Sequence, residues 1–149
     1  MNRISERLFI GDANDGRDPE ALVAAGIGSV LNATEVSDGW SQGTGWSQEA
    51  GDGLTYIRLN QPDGQPIPHE ILRQAERFLM HEVVVLRRPL LIHCAAGISR
   101  ASTFSIFWLM LAGFGWDEAE ALVRAARPII APNAALKASV LAYLGRGTE

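Results

Sequence analysis

The sequence predicts one α/β domain over residues 1–149, a central, mostly parallel sheet of about four to five strands flanked by helices. Three observations carry that expectation. Short apolar runs come early and helical patterns dominate late, the order in which helices cover a sheet. Pro89-Leu90-Leu91-Ile92-His93 is nearly continuous apolar sequence, as a strand buried on both faces must be. The chain has 149 residues, 47% of them hydrophobic and 20% charged, which suits one self-sufficient core and leaves no room for two.

Each element has a local reason. Leu8-Phe9-Ile10, closed by Gly11-Asp12, reads as the first strand, and Asn14-Asp15-Gly16 behind it as a turn. Asp18-Pro19-Glu20 supplies an N-cap, a proline at the first helical position and a carboxylate in the first turn. Gly26 stops that short helix. Ser29–Ala33 and Leu54–Leu59 are the next strands, the second rich in residues that fit a pleated surface. The connection between them, Glu35 to Gly53, is polar, longer than an ordinary loop, and holds Trp40 and Trp46, both expected as packing anchors.

From Pro68 to Leu86, Ile71, Leu72, Ala75, Phe78, Leu79 and Val83 share one helical face, and Arg87-Arg88 complements the dipole at its end. Arg100 to Ala112 is apolar nearly all round, so that helix is expected inside the domain. Asp117–Ala126 and Asn133–Leu144 are amphipathic helices.

Composition excludes several functions. A net charge of −4 gives no broad attraction for nucleic acid or acidic membranes, so neither is expected as a partner. Met1 to Arg7 lacks the apolar run of a signal peptide, and no stretch reaches the roughly 18–20 apolar residues of a membrane span. A cytoplasmic monomer is expected. The single cysteine, Cys94, rules out an internal disulfide, a cysteine-rich zinc site and a two-cysteine redox cycle. No metal and no cofactor is expected.

Cys94 and Arg100 lie on either side of Ala95-Ala96-Gly97-Ile98-Ser99, in a loop from strand end to helix start. Such a loop aims backbone N–H groups at one point and adds the field of the helix N-terminus, so it binds an oxyanion without lysine. Gly97 permits the curl. Arg100 closes over the anion with a planar fork that lysine cannot reproduce, and the positive field favours an anionic, nucleophilic sulfur at Cys94. His93 points to the opposite face of its strand and is expected to brace the loop. Transfer of phosphate to sulfur leaves an oxyanion that needs a proton, and Asp63, at the carboxyl end of its own strand, is the candidate acid.

The chain here resembles the dual-specificity group of cysteine-dependent protein tyrosine phosphatases. His93-Cys94, five residues and Arg100 fit the signature of that family. Leu8-Phe9-Ile10-Gly11, Gly26-Ile27, Val30-Leu31-Asn32, the Tyr56 to Asp63 spacing, Arg127-Pro128 and Pro132-Asn133 follow in family order. The resemblance implies a protein tyrosine phosphatase-like fold, with Cys94 as nucleophile, Arg100 as phosphate ligand and Asp63 as general acid. It implies metal-independent hydrolysis of phosphotyrosine, with phosphoserine and phosphothreonine as further substrates, on a phosphorylated protein or a small phosphomonoester.

Two departures stand out. Ala101 occupies the place where the family usually has a serine or threonine that helps the thiolate leave, which implies slow breakdown of the phosphoenzyme. Ser102 is expected to turn away from the sulfur. Ala95, Ala96 and Ile98 stand where relatives acting on inositol lipids carry lysines, so a phosphoprotein is the better substrate. A catalytically slow or inactive phosphate-binding module is the alternative; sulfur transfer and arsenate reduction are further alternatives.

Overall fold

Side chains alternate across the strands and sort into two cores, because successive residues of a strand face opposite ways. Leu8, Ile10, Leu31, Ile57, Leu90 and Ile92 join the larger core. Phe9, Val30, Tyr56 and Leu91 lie on the other face with Leu22 and Ile27. The computed structural model describes residues 1–40, the backbone of 45–50, and residues 53–146.

The strands are β1 (Asn2–Ser5), β2 (Leu8–Gly11), β3 (Ser29–Asn32), β4 (Gly45–Ala50), β5 (Leu54–Arg58) and β6 (Leu90–His93). The helices are α1 (Ala13–Gly16), α2 (Pro19–Ala24), α3 (His69–Leu79), α4 (Arg100–Leu111), α5 (Trp116–Ala126) and α6 (Ala134–Tyr143). The sheet runs β1-β2-β6-β3-β5-β4. Its four inner strands are parallel, with Ile92 of β6 level with Ile10 and Leu31. The strands at both edges are antiparallel.

The expected α/β class holds, and the four strands read from the sequence are the four parallel ones. Three additions come from the structure. β1 escapes a hydrophobicity pattern because half of its residues are exposed. β4 falls inside the long connection read as a loop, where its glycine and serine content gives no strand signal. The Asn14-Asp15-Gly16 turn is a single turn of helix, made so by a capping box in which Asp12 and Asp15 each accept the other's backbone N–H.

The helix expected to end at Leu86 changes geometry partway, and Met80–Val85 is π-helical. One extra residue per turn sends Glu82 inward, where its side chain is only 1% exposed. It accepts from Ser29 Oγ at 2.6 Å and Arg88 Nη1 at 2.9 Å, while Arg88 also donates to Thr55 Oγ1 at 2.6 Å. Arg88 thus ties the helix end to the amino ends of β3 and β5, a more specific role than complementing a dipole.

Burial alone would push the Glu82 carboxyl up, but hydrogen bonds from Ser29, His81 and Arg88, with the Arg88 charge, outweigh it and hold the group below its ordinary value. A carboxyl depressed on folding stabilises fully above its unfolded pKa of about 4.3, and that contribution is lost as pH falls through the folded value. Glu82→Ala is expected to cost roughly 2–3 kcal/mol at pH 7, less than the usual cost of breaking a fully buried pair because Arg88 is half-exposed. Urea midpoints should show the gap from wild type narrowing as the pH is taken below 4.3; a gap constant with pH would assign the effect to packing alone.

α4 lies against the larger core face, with Phe104, Ile106 and Phe107 fully buried. Burying such side chains is worth roughly 1.5–3 kcal/mol each, so this helix is a fixed base for whatever its first residue holds. Among the described residues, no helix is long and apolar enough to cross a membrane.

Candidate active site

β6 sits between β2 and β3 and ends at His93, so Cys94 emerges at the carboxyl edge of the parallel strands, where open α/β sheets bind ligands. The chain then turns through 95–99 and enters α4 at Arg100. Gly97 has φ of 69°, and a Cβ there would lie 2.6 Å from the Gly11 carbonyl oxygen. Glycine is required on both counts.

The loop points its carbonyls away from the space it encloses. Ala95 O accepts from Ala13 N at 3.0 Å, and Ile98 O from Ala131 N at 2.9 Å and Ser102 Oγ at 2.7 Å. Ser99 O accepts from Thr103 N and from the Ser102 and Thr103 hydroxyls. Among the described residues, no backbone N–H of 95–99 is donated to a protein acceptor. Five donors thus remain for an anion.

Cys94, Arg100 and Asp63 line one cavity of about 190 Å³ together with Ala95, Ala96, Ile98 and Ser99. All the residues expected at the site therefore meet there, apart from Gly97, which shapes the loop, and His93 behind it. Cys94 is 3% and Arg100 6% exposed. Arg100 donates from Nη1 to Gln61 O at 2.8 Å and to Glu35 Oε1 at 3.2 Å. Its Nε is 3.8 Å from Asp63 Oδ1. Nη1 thus serves both Gln61 and Glu35, while Nε lies on the side of Asp63.

Asp63 is exposed, on a turn fixed from beneath by the buried Gln61, whose amide donates to Gln65 O at 2.9 Å and Pro62 O at 3.1 Å. Gln61 thus places the carboxylate with its side chain and the arginine with its backbone. Gln61 and Glu35 are missing from the sequence reading; nothing local marks either, since their partner lies 39 and 65 positions away.

His93 faces away from Cys94, as expected. Its Nε2–H donates to the buried Asp38 carboxylate at 2.8 Å, and Nδ1 is 3.4 Å from Cys94 O. Asp38 also accepts from Asn32 Nδ2 at 3.3 Å, and Asn32 donates to Tyr56 OH at 2.9 Å. Gly16 packs on the imidazole, and a Cβ there would collide with His93 Nε2. Trp40 is the packing anchor expected, edge-on to Tyr56 at 5.2 Å with Nε1 donating to Gly16 O at 2.6 Å. Trp46 falls in β4, and its side chain lies outside the described residues.

Ala101 is fully buried, and both acceptors of the Ser102 hydroxyl are loop carbonyls. Ser99 Oγ accepts from Asn133 N at 3.1 Å. Among the described residues, no group of three or more His, Cys, Asp or Glu side chains could hold a metal ion.

The architecture is that of an α/β protein whose parallel strands bring a cysteine, an arginine, an exposed carboxylate and a loop of undonated backbone N–H groups together at their carboxyl edge. Residues 8–145 match the family model of the dual specificity phosphatase catalytic domain. The chain belongs to that family. It is 28% identical over 135 residues to dual specificity protein phosphatase 15 of Mus musculus, covering 89% of this chain and 53% of that protein. It is 31% identical over 137 residues to dual specificity protein phosphatase 22 of Xenopus tropicalis, covering 89% and 59%. The chain thus spans about half to three fifths of the length of these relatives. Among solved structures, a mouse chain of the dual specificity phosphatase class complexed with zinc tungstate superposes with a TM-score of 0.76 at 26% identity, over 95% of this chain and 84% of that one.

Proposed function

We propose that the chain is a protein phosphatase that hydrolyses phosphotyrosine, with phosphoserine and phosphothreonine as further substrates, through a phosphocysteine at Cys94. The observation that carries this reading is the single small cavity shared by Cys94, Arg100 and Asp63, walled by a loop whose carbonyls are turned outward. Tungstate is a tetrahedral oxyanion like phosphate, and its presence in the complex of the mouse relative supports an oxyanion ligand here.

In the first step the phosphoryl group rests on the loop N–H groups and the Arg100 fork, which stabilise charge as it develops. The Cys94 sulfur forms a bond to phosphorus while the ester P–O bond breaks, and Asp63 gives its proton to the departing oxygen. In the second, Asp63 takes a proton from water, the water oxygen bonds to phosphorus, and the S–P bond breaks with its electron pair returning to sulfur. Inorganic phosphate leaves. No step calls for a metal.

The test is hydrolysis of a small aryl phosphate from pH 5 to 8, with chelator present, by wild type and Asp63→Asn. Losing the proton donor is expected to lower kcat by about 100-fold, within the usual range for general acid–base catalysis, and to flatten the fall in rate on the basic side. An unchanged rate and profile would remove Asp63 from the mechanism.

Buried Ala101 favours a second reading, a phosphate-binding module with little turnover, because the residue directly after Arg100 carries no hydroxyl to help the sulfur leave. Phosphopeptide binding by folded, reduced protein with no measurable hydrolysis would select it.

A further inference from the structure

We propose that Arg127 is the positioning residue that sets the affinity of the 94–100 loop for its oxyanion, an inference that rests on reading that loop as a phosphate cradle. The remaining two outward carbonyls of 95–99, Ala96 O and Gly97 O, are both taken by this one guanidinium. Nη2 donates to Ala96 O at 3.0 Å and Nε to Gly97 O at 2.8 Å. The third nitrogen, Nη1, donates to Asn2 Oδ1 on β1 at 2.7 Å. Arg127 starts from a fixed point, the residue that closes α5, where its own N–H still reaches Val123 O at 2.9 Å.

The consequence follows from peptide geometry. A trans peptide is planar, with C=O and N–H pointing oppositely. Fixing the Ala96 and Gly97 oxygens outward therefore fixes the N–H groups of Gly97 and Ile98 towards the enclosed space. The contact has no slack, since a Cβ on Gly97 would lie 2.7 Å from Arg127 Nη2. Charge acts in the same sense. Among the described residues no carboxylate lies within ion-pair distance of Arg127, so its positive charge falls on the oxygen ends of two peptides and polarises their N–H ends towards an anion. Lysine would keep the charge but could not hold two carbonyls and Asn2 in one plane.

The experiment compares the full chain with Arg127→Lys, Arg127→Met and Asn2→Ala. It reads the inhibition constant of inorganic phosphate, KM and kcat for an aryl phosphate, and the thermal midpoint. Arg127→Lys is expected to raise the phosphate inhibition constant and KM together by about tenfold, as loss of one charge-assisted bond does, with kcat within about threefold of wild type. Asn2→Ala should move both constants the same way by about threefold, since it frees the guanidinium without removing it. Arg127→Met should exceed Arg127→Lys, and the other two variants decide the matter if it does not fold. An unchanged phosphate inhibition constant in folded Arg127→Lys overturns the proposal, and so does a lowered thermal midpoint as its sole effect. Failure of the wild type to bind phosphate would instead overturn the cradle reading; if it binds phosphate without hydrolysing aryl phosphate, the calorimetric dissociation constant of phosphate replaces the inhibition constant, with the same changes of about tenfold and threefold expected.

Discussion

Cys94→Ser is expected to reduce aryl phosphate hydrolysis by about 10⁵-fold or more, the scale on which a lost nucleophile is felt. A serine hydroxyl stays protonated at neutral pH, and the histidine beside it in sequence is turned to the far side of the sheet with Asp38, so that imidazole cannot serve as its base. The fold should tolerate the change, because serine is no larger and the position borders the cavity. The loop N–H groups and Arg100 are untouched, so a phosphopeptide should bind within a few-fold of wild type, and calorimetry on the variant measures that directly. Retention of one part in a hundred of the rate would rule out sulfur as the nucleophile. Loss of both rate and binding would point to a distorted loop.

Arg100→Lys should follow, with kcat/KM down by about 10²–10³-fold, the usual loss for a group that stabilises transition-state charge. Lysine keeps the positive charge, so simple attraction predicts little change. The geometry predicts much. Arg100 bridges Gln61 O and Glu35 through Nη1 while its Nε lies on the side of Asp63, and one ammonium cannot serve both sides. Steady-state kinetics at fixed ionic strength, beside a thermal midpoint, separates the two accounts; a loss below threefold would mean that charge alone suffices.

Much of this was legible in advance because its determinants are local. β2, β3, β5 and β6 show as apolar runs, α2 as Asp18-Pro19, α4 as uninterrupted apolar sequence, and the loop as a cysteine and an arginine around glycine. What escaped depends on partners far along the chain or on elements with weak patterns. Asp38 meets His93 across 55 positions, and Arg127 meets Asn2 across 125. No window of sequence contains both members of either pair. β1 and β4 are edge strands, paired on one side in the sheet, and so lack the dense hydrophobicity that marks an inner strand. The π-helical turn at Met80–Val85 keeps a helical composition while rotating Glu82 inward, which a 3.6-residue period cannot anticipate.

The place of β6 in the sheet also bears on how the molecule comes into being. β2 and β3 do not pair with each other; each pairs with β6, which lies about 60 to 80 residues later in sequence. A nascent chain that has reached Leu79 holds α1, α2 and α3 but no strand to join its first half to its second. Sheet closure waits for Leu90–His93, and such distant parallel pairing is slow because long loops must close first. The same event that closes the sheet brings the thiol to its edge and leads into α4, whose buried residues then cover the larger core. Cys94 therefore takes its place only as the two parts of the sheet are joined, so the cavity it lines cannot form before the sheet closes.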